Sequence, residues 1–203
     1  MNHCQPGKMI ALSQVMIALS DSATICDRYL FIAQFSAIEL STIRQQTHYS
    51  HKTDGTMLRE LITPDVIRIH TDAKDWQDAI DKACAALLTN GAIEPSYVDA
   101  IYRSHQEIGP YYVIGPGIAM PHARPEDGVN RLGLAITVIQ NGVNFDSAEN
   151  DPVKVLVTLA ATDSNSHVEA ISQLANLFMN EAHIAQISRA TTADEILAII
   201  AEY

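Results

Sequence analysis

The stretch Gly109–Gly128 reads GPYYVIGPGIAMPHARPEDG. Gly109, Gly115 and Gly117 precede its one histidine, and Pro121 and Pro125 stand on either side of it. That spacing of breakers leaves room only for two short strands, Tyr111–Ile114 and Ile118–Met120, around the turn Gly115-Pro116-Gly117. The chain then runs out into a loop. Proline fixes φ and lowers the entropy lost on ordering, so the loop is expected to be rigid and to present the imidazole of His122. A histidine on a rigid loop suits a positioned nucleophile or ligand. The competing role is a buried, hydrogen-bonded histidine in a proline-rich turn.

Outward from this stretch the periodicities are clear. Val66–His70 (VIRIH) alternates and predicts a strand. Asp75–Leu88 places Trp76, Ile80, Ala83, Cys84, Leu87 and Leu88 at helical spacing, with Asn90-Gly91 as a stop signal. Pro95–Glu107 predicts a second helix with Pro95 in its first turn and Tyr97 and Ile101 on one face. Leu132–Gln140 and Val153–Ala161 are mostly apolar runs of strand length, which suits strands buried on both faces. Helices are expected over Ser166–Met179, Glu181–Ala190 and Thr192–Glu202, the last with the capping-box pair Thr192 and Glu195. Five strands with helices before and after give an α/β layer structure on a mixed sheet.

A second polar constellation, Asp163–Glu169 (DSNSHVE), follows the run Val153–Ala161. Ser164, Asn165 or Ser166 is expected to cap the helix that starts there, with His167 in its first turn. Helix N-termini attract anions, and loops after buried strands are where α/β folds place sites. His167 is thus a candidate for binding a phosphoryl group or a carboxylate; the plainer alternative is a partly exposed first-turn histidine.

The chain has 203 residues and a formal net charge of -11. Its 47% hydrophobic and 18% charged residues read as globular. The excess of acid argues against a nucleic-acid surface, which needs a basic stripe. Four basic and four acidic residues cancel within residues 1–56, so the whole charge falls in 57–203. The first part reads as a weakly structured extension, or as a start assigned too far upstream with Met57 as the alternative start. Its apolar run Met9–Ser20 faintly resembles a signal-peptide core but is too short to span a bilayer. Gln45–Gly55 reads as a polar linker. Three cysteines without CxxC spacing argue against a disulfide framework or zinc module.

Several chemistries lack their motifs. A metal-dependent hydrolase built on His122, His167 and Glu126 would lack HExxH spacing. There is no GxxxxGK[ST] loop for a nucleotide-dependent kinase and no GxSxG for a serine hydrolase. Cys84 lies on the apolar face of a helix and reads as core.

The run PGIAMPHARPEDGV, preceded by GPYYVI and followed by LVTLAATDSNSHVEAISQLANLF, resembles IIA components of the bacterial phosphoenolpyruvate-dependent sugar phosphotransferase system. The likeness is to the mannitol/fructose type, and within it to the ascorbate and cryptic-mannitol branch. It covers residues 57–203, whereas residues 1–56 have no counterpart in a typical member. It implies a mixed five-stranded sheet with helices on both faces. It implies that His122 carries the phosphoryl group and that His167 is the second histidine of the site. The donor would be phospho-HPr and the acceptor a cysteine of a cognate IIB protein or domain. A membrane IIC would be served only indirectly, the sugar being ascorbate or a mannitol-like compound. No cofactor or metal is implied, and the chain would be cytoplasmic. Where mannitol-type members carry a site arginine, this sequence has Gln106, with Arg103 nearby. Arg124, inside the motif, and Arg103 are the candidate cationic partners.

Phosphoryl transfer through a histidine needs one free ring nitrogen and an oriented second one. Nε2 is the expected attacking atom, with a backbone carbonyl or carboxylate on Nδ1. Glu126 and Asp127 are expected to favour protonation of His122, with Arg124 shielding it. An acidic surface would suit a basic or mixed partner such as HPr. The competing function is that of the nitrogen-type regulatory IIA proteins, which act by phosphorylation-dependent protein binding.

Overall fold

In the computed structural model, which describes residues 56–203, the chain builds a five-stranded mixed sheet in the order β1-β4-β5-β3-β2. The strands are β1 (Ile67–His70), β2 (Val113–Gly115), β3 (Ile118–Ala119), β4 (Gly133–Val143) and β5 (Val153–Ala160). β1 pairs parallel to β4, β4 antiparallel to β5, β5 parallel to β3, and β3 antiparallel to β2. The helices are α1 (Thr56–Leu61), α2 (Trp76–Thr89), α3 (Pro95–Ile108), α4 (Ser164–Phe178), α5 (Glu181–Ile187) and α6 (Ala193–Ile200). The reading of residues 1–56 as an extension, with its apolar run and polar linker, falls outside the described residues except for Thr56, which opens α1.

Both faces of the sheet are covered, which is why β4 and β5 are continuous apolar runs. Along β4, Ala135 and Ile139 face α2 and α3, where they join Ile80, Cys84, Leu87, Tyr97 and Ile101. The intervening Leu134, Ile136 and Val138 face the opposite layer, with Leu58, Leu174, Leu177, Ile187 and Ile196. β5 alternates in the same way, Leu156 and Ala160 to one side and Val155, Val157 and Leu159 to the other. The alternation hidden within each apolar run thus assigns every side chain to a layer.

Local signals fix the helix ends. Asp75 caps α2 by accepting the Asp78 N–H at 2.9 Å. Asn90 ends α2, and Gly91 follows with φ of 71°. Pro95 occupies the first turn of α3, and Thr192 and Glu195 form the capping box of α6. Cys84 is buried and burial pushes its thiol up to about 12, as a core cysteine requires.

Two threonines sit within the apolar strands. Thr158 donates to the Ala83 carbonyl at 3.1 Å. The Thr137 hydroxyl is buried with no hydrogen-bond partner among the described residues. An unsatisfied buried hydroxyl is costly, so Thr137→Val is expected to raise stability by about 1 kcal/mol. Chemical denaturation that showed a loss instead would mean that the hydroxyl is satisfied.

Candidate functional site

β3 and β5 are adjacent and parallel, so the segments leaving their C-terminal ends emerge side by side. His122 lies three residues beyond β3, and His167 lies in the early part of α4, just past β5. Their rings meet, with centroids 5.7 Å apart and planes tilted by 44°. The carboxyl edge of parallel strands is where open α/β sheets place sites.

Backbone groups hold His122. Its Nδ1 lies 2.8 Å from the carbonyl oxygen of Met120. A carbonyl only accepts, so Nδ1 carries the proton and Nε2 keeps its lone pair. The ring of Tyr111 stands edge-on to the imidazole, centroids 5.4 Å apart, and the Tyr111 hydroxyl donates to the His122 carbonyl. Tyr97 accepts the Ala123 N–H at 2.9 Å and donates to the Leu159 carbonyl at 2.6 Å. Burial pushes Tyr111 up to about 12 and Tyr97 higher still, so both hydroxyls keep their protons.

Burial lowers the pKa of His122, and the Met120 carbonyl opposes this in part. This corrects the expectation that Glu126 and Asp127 favour its protonation, because loss of hydration dominates. Each acid faces an arginine instead. Arg103 lies 3.7 Å from Asp127, and Arg124 lies 3.9 Å from Glu126. Both arginine side chains are more than half exposed, and their ion pairs place them beside the loop acids. Gln106 is exposed on α3. Among the described residues no group of three His, Cys, Asp or Glu side chains comes together as metal ligands.

α4 starts earlier than its sequence suggested, and the cap is Asp163 rather than Ser164, Asn165 or Ser166. The Asp163 carboxylate accepts the N–H groups of Asn165 at 2.9 Å and Ser166 at 3.0 Å. Four successive residues of comparable capping strength left the choice open. The consequence is chemical: two of the N–H groups at the start of α4 already serve a carboxylate. His167 donates its own N–H to the Asp163 carbonyl at 3.1 Å. Its pKa is pushed down to about 4, by burial first and by the His122 ring second. The ring is therefore neutral at pH 7.

Past His122 the loop is fastened to the start of α3. The Pro125–Asp127 turn ends at Gly128, whose carbonyl accepts the Glu94 N–H at 2.8 Å, and Ser96 donates to the Asp127 carbonyl at 2.8 Å. Gly128 has φ of 124°, and a Cβ there would sit 2.5 Å from Ser96 Oγ and 3.0 Å from Glu94 Cβ. Gly128→Ala is expected to cost about 2–3 kcal/mol, read as a lower melting temperature. An unchanged transition would mean that the loop can leave α3 freely.

The sequence predicts Tyr97 on one face of a helix and Tyr111 in the strand Tyr111–Ile114; Tyr111 instead lies in the turn before β2. Their hydroxyl contacts depend on register across 26 and 11 residues of chain, respectively, which no local pattern encodes.

The chain is 40% identical over 135 residues to the "Ascorbate-specific PTS system EIIA component" of Salmonella choleraesuis, covering 66% of this chain and 88% of the relative. Among solved structures, the mannitol-specific cryptic phosphotransferase enzyme IIA CmtB from Escherichia coli superposes with a TM-score of 0.67 at 37% identity, covering 72% of this chain and 99% of that one. The complex of enzyme IIAMTL and phosphorylated enzyme IIBMTL from Escherichia coli matches with a TM-score of 0.61 at 29% identity, covering 70% and 97%. Residues 60–203 match the family described as "Phosphoenolpyruvate-dependent sugar phosphotransferase system, EIIA 2", and the chain belongs to that family.

Proposed function

We propose that this chain is a sugar-specific IIA phospho-carrier that accepts a phosphoryl group from phospho-HPr on Nε2 of His122 and passes it to the cysteine of a cognate IIB. The observation that carries this reading is the Met120 carbonyl on Nδ1 of His122, 2.8 Å away, which leaves Nε2 as the nucleophile. In the first step the P–N bond of the donor phosphohistidine breaks as the bond to Nε2 forms; in the second, a thiolate sulfur takes the phosphoryl group and the Nε2 lone pair is restored. His167 would stabilise charge on the transferring oxygens. Arg124 and Arg103, paired with Glu126 and Asp127 at the edge of the loop, would supply positive charge towards the phosphoryl group. The names of the relatives favour ascorbate, or a mannitol-like sugar, as the compound eventually taken up through IIB and a membrane IIC. Among the described residues no helix is long and apolar enough to cross a membrane, in keeping with a carrier that works in the cytoplasm.

The test uses the full chain with phosphoenolpyruvate, enzyme I and HPr. The expected result is one acid-labile phosphate per chain, discharged on addition of the cognate IIB. Absence of labelling on the native protein would overturn the reading. Labelling without discharge to any IIB would favour the regulatory role in its place.

A further inference from the structure

One tyrosine hydroxyl stands where a backbone hydrogen bond would continue the sheet, and a second caps the carbonyl next to it. β3 and β5 pair with Ile118 opposite Val155 and Ala119 opposite Leu156. The register continues beyond β3, because Val155 N–H donates to the Gly117 carbonyl at 3.0 Å and Leu159 N–H to the Pro121 carbonyl at 3.2 Å. In a parallel ladder the next bond of that register would run from Ala123 N–H to the Leu159 carbonyl. It is not made directly. The Tyr97 hydroxyl lies between the two groups, 2.9 Å from the Ala123 nitrogen and 2.6 Å from the Leu159 oxygen. The preceding position of the ladder is closed as well, since Pro121 has no N–H to give.

On the opposite edge a phenol caps one carbonyl and does not bridge two backbone groups. Met120 N–H still reaches the Tyr112 carbonyl at 2.8 Å, but two residues further on the His122 carbonyl is taken by the Tyr111 hydroxyl. His122 is thus bracketed by phenols, one on its own carbonyl and one on the N–H that follows. If the direct bond to Leu159 closed, Ala123 would move inward by the width of a hydroxyl. The peptide carrying His122 would turn with it, away from the conformation in which Nδ1 meets Met120.

We propose that Tyr97 and Tyr111 are positioning residues for phosphoryl transfer: Tyr97 holds the peptide after His122 out of the sheet ladder and Tyr111 ties down the His122 carbonyl, so that the imidazole keeps the Nδ1–H tautomer. This rests on the reading of His122 as the phosphoryl acceptor. Neither phenol need touch the phosphoryl group; both act through the backbone on either side of the ring.

The test compares Tyr97→Phe and Tyr111→Phe in the full chain. Four quantities are read: the initial rate of labelling through enzyme I and HPr, the final extent of labelling, the melting temperature, and the ¹⁵N resonances of the His122 ring. The expected result is an initial rate lower by about tenfold to a hundredfold, the loss that misplacement of a reacting group by about 1 Å produces. The final extent stays unchanged, and the His122 nitrogens move towards the tautomer mixture of a free imidazole. A lower melting temperature with native rate and native ¹⁵N shifts would overturn the proposal, since that is what a purely structural role gives. If Tyr97→Phe does not fold, Tyr111→Phe decides by the same readouts. Native protein that labels while both variants match it sinks the positioning role and leaves the carrier reading standing. Native protein that does not label, with variants that still shift the His122 nitrogens, sinks the carrier reading and leaves the hold on the imidazole standing. If neither is seen, both fail.

Discussion

His122→Ala is expected to abolish labelling from phosphoenolpyruvate through enzyme I and HPr, and with it any discharge to a IIB cysteine, while the protein stays folded. The expected loss is complete within detection, because no neighbouring group can replace the nucleophile. His167 is the other imidazole in ring contact, but it sits on a separate element, the first turn of α4. Two observations argue that the variant folds. His122 is not fully buried, and the backbone around it is held by groups that the substitution leaves in place: Tyr111 on the 122 carbonyl, Tyr97 on the 123 N–H, and Leu159 on the 121 carbonyl. Loss of the ring and of its bond to Met120 is expected to cost no more than about 2 kcal/mol. His122→Gln sharpens the experiment, since the amide can keep a donor towards Met120 yet offers no nitrogen lone pair. Substantial labelling of either variant would place the phosphate elsewhere.

The parts of this molecule that were legible in the sequence are those set by local chemistry. Pro95, Asn90-Gly91 and the Thr192–Glu195 pair mark helix ends by mechanisms that act within one turn, and each helix begins or ends there. The strands β4 and β5 were legible because burial on both faces demands an apolar run, and little else of that length lacks a breaker. The mixed sheet with helices on both faces, implied by the family resemblance, is the observed architecture. Less legible were features in which several residues could serve equally. Asp163 took the cap of α4 from three serviceable neighbours, and only the chain path after Ala160 made the choice. The electrostatics of His122 were misjudged for a related reason. Sequence proximity puts Glu126 and Asp127 four and five residues away, but the Pro125–Asp127 turn gives each acid an arginine, and burial then governs the ring. Least legible were the contacts of Tyr97 and Tyr111, which depend on which carbonyls the sheet brings under each hydroxyl.

His167 carries the second large expectation. His167→Ala is expected to slow phosphoryl acceptance by His122 on the order of a hundredfold to a thousandfold, the loss seen when one preorganised donor is removed from a developing charge. His167→Gln is expected to recover part of that rate, since at pH 7 the native ring is neutral and its contribution is an N–H rather than a charge. The same depressed pKa sets a pH dependence. An unfolded histidine titrates near 6.5 and His167 in the fold near 4, so the unfolded chain binds the proton first as pH falls. Its neutral state therefore supports stability fully above about pH 6.5, and that support is lost as pH falls towards 4. The expected size is about 2 kcal/mol after discounting for solvent screening of a partly exposed ring. His122, also lowered by burial, acts in the same direction. In His167→Gln the fall in unfolding free energy between pH 6.5 and 4 should be smaller by that amount. Phosphorylation of His122 adds a doubly charged group beside the ring, so the His167 midpoint should climb by more than about one unit in the phosphoprotein. NMR titration of the two forms measures this directly. A midpoint that stays where it was, together with an unchanged rate in His167→Ala, would leave His167 as a first-turn histidine with a place in the packing and none in the transfer.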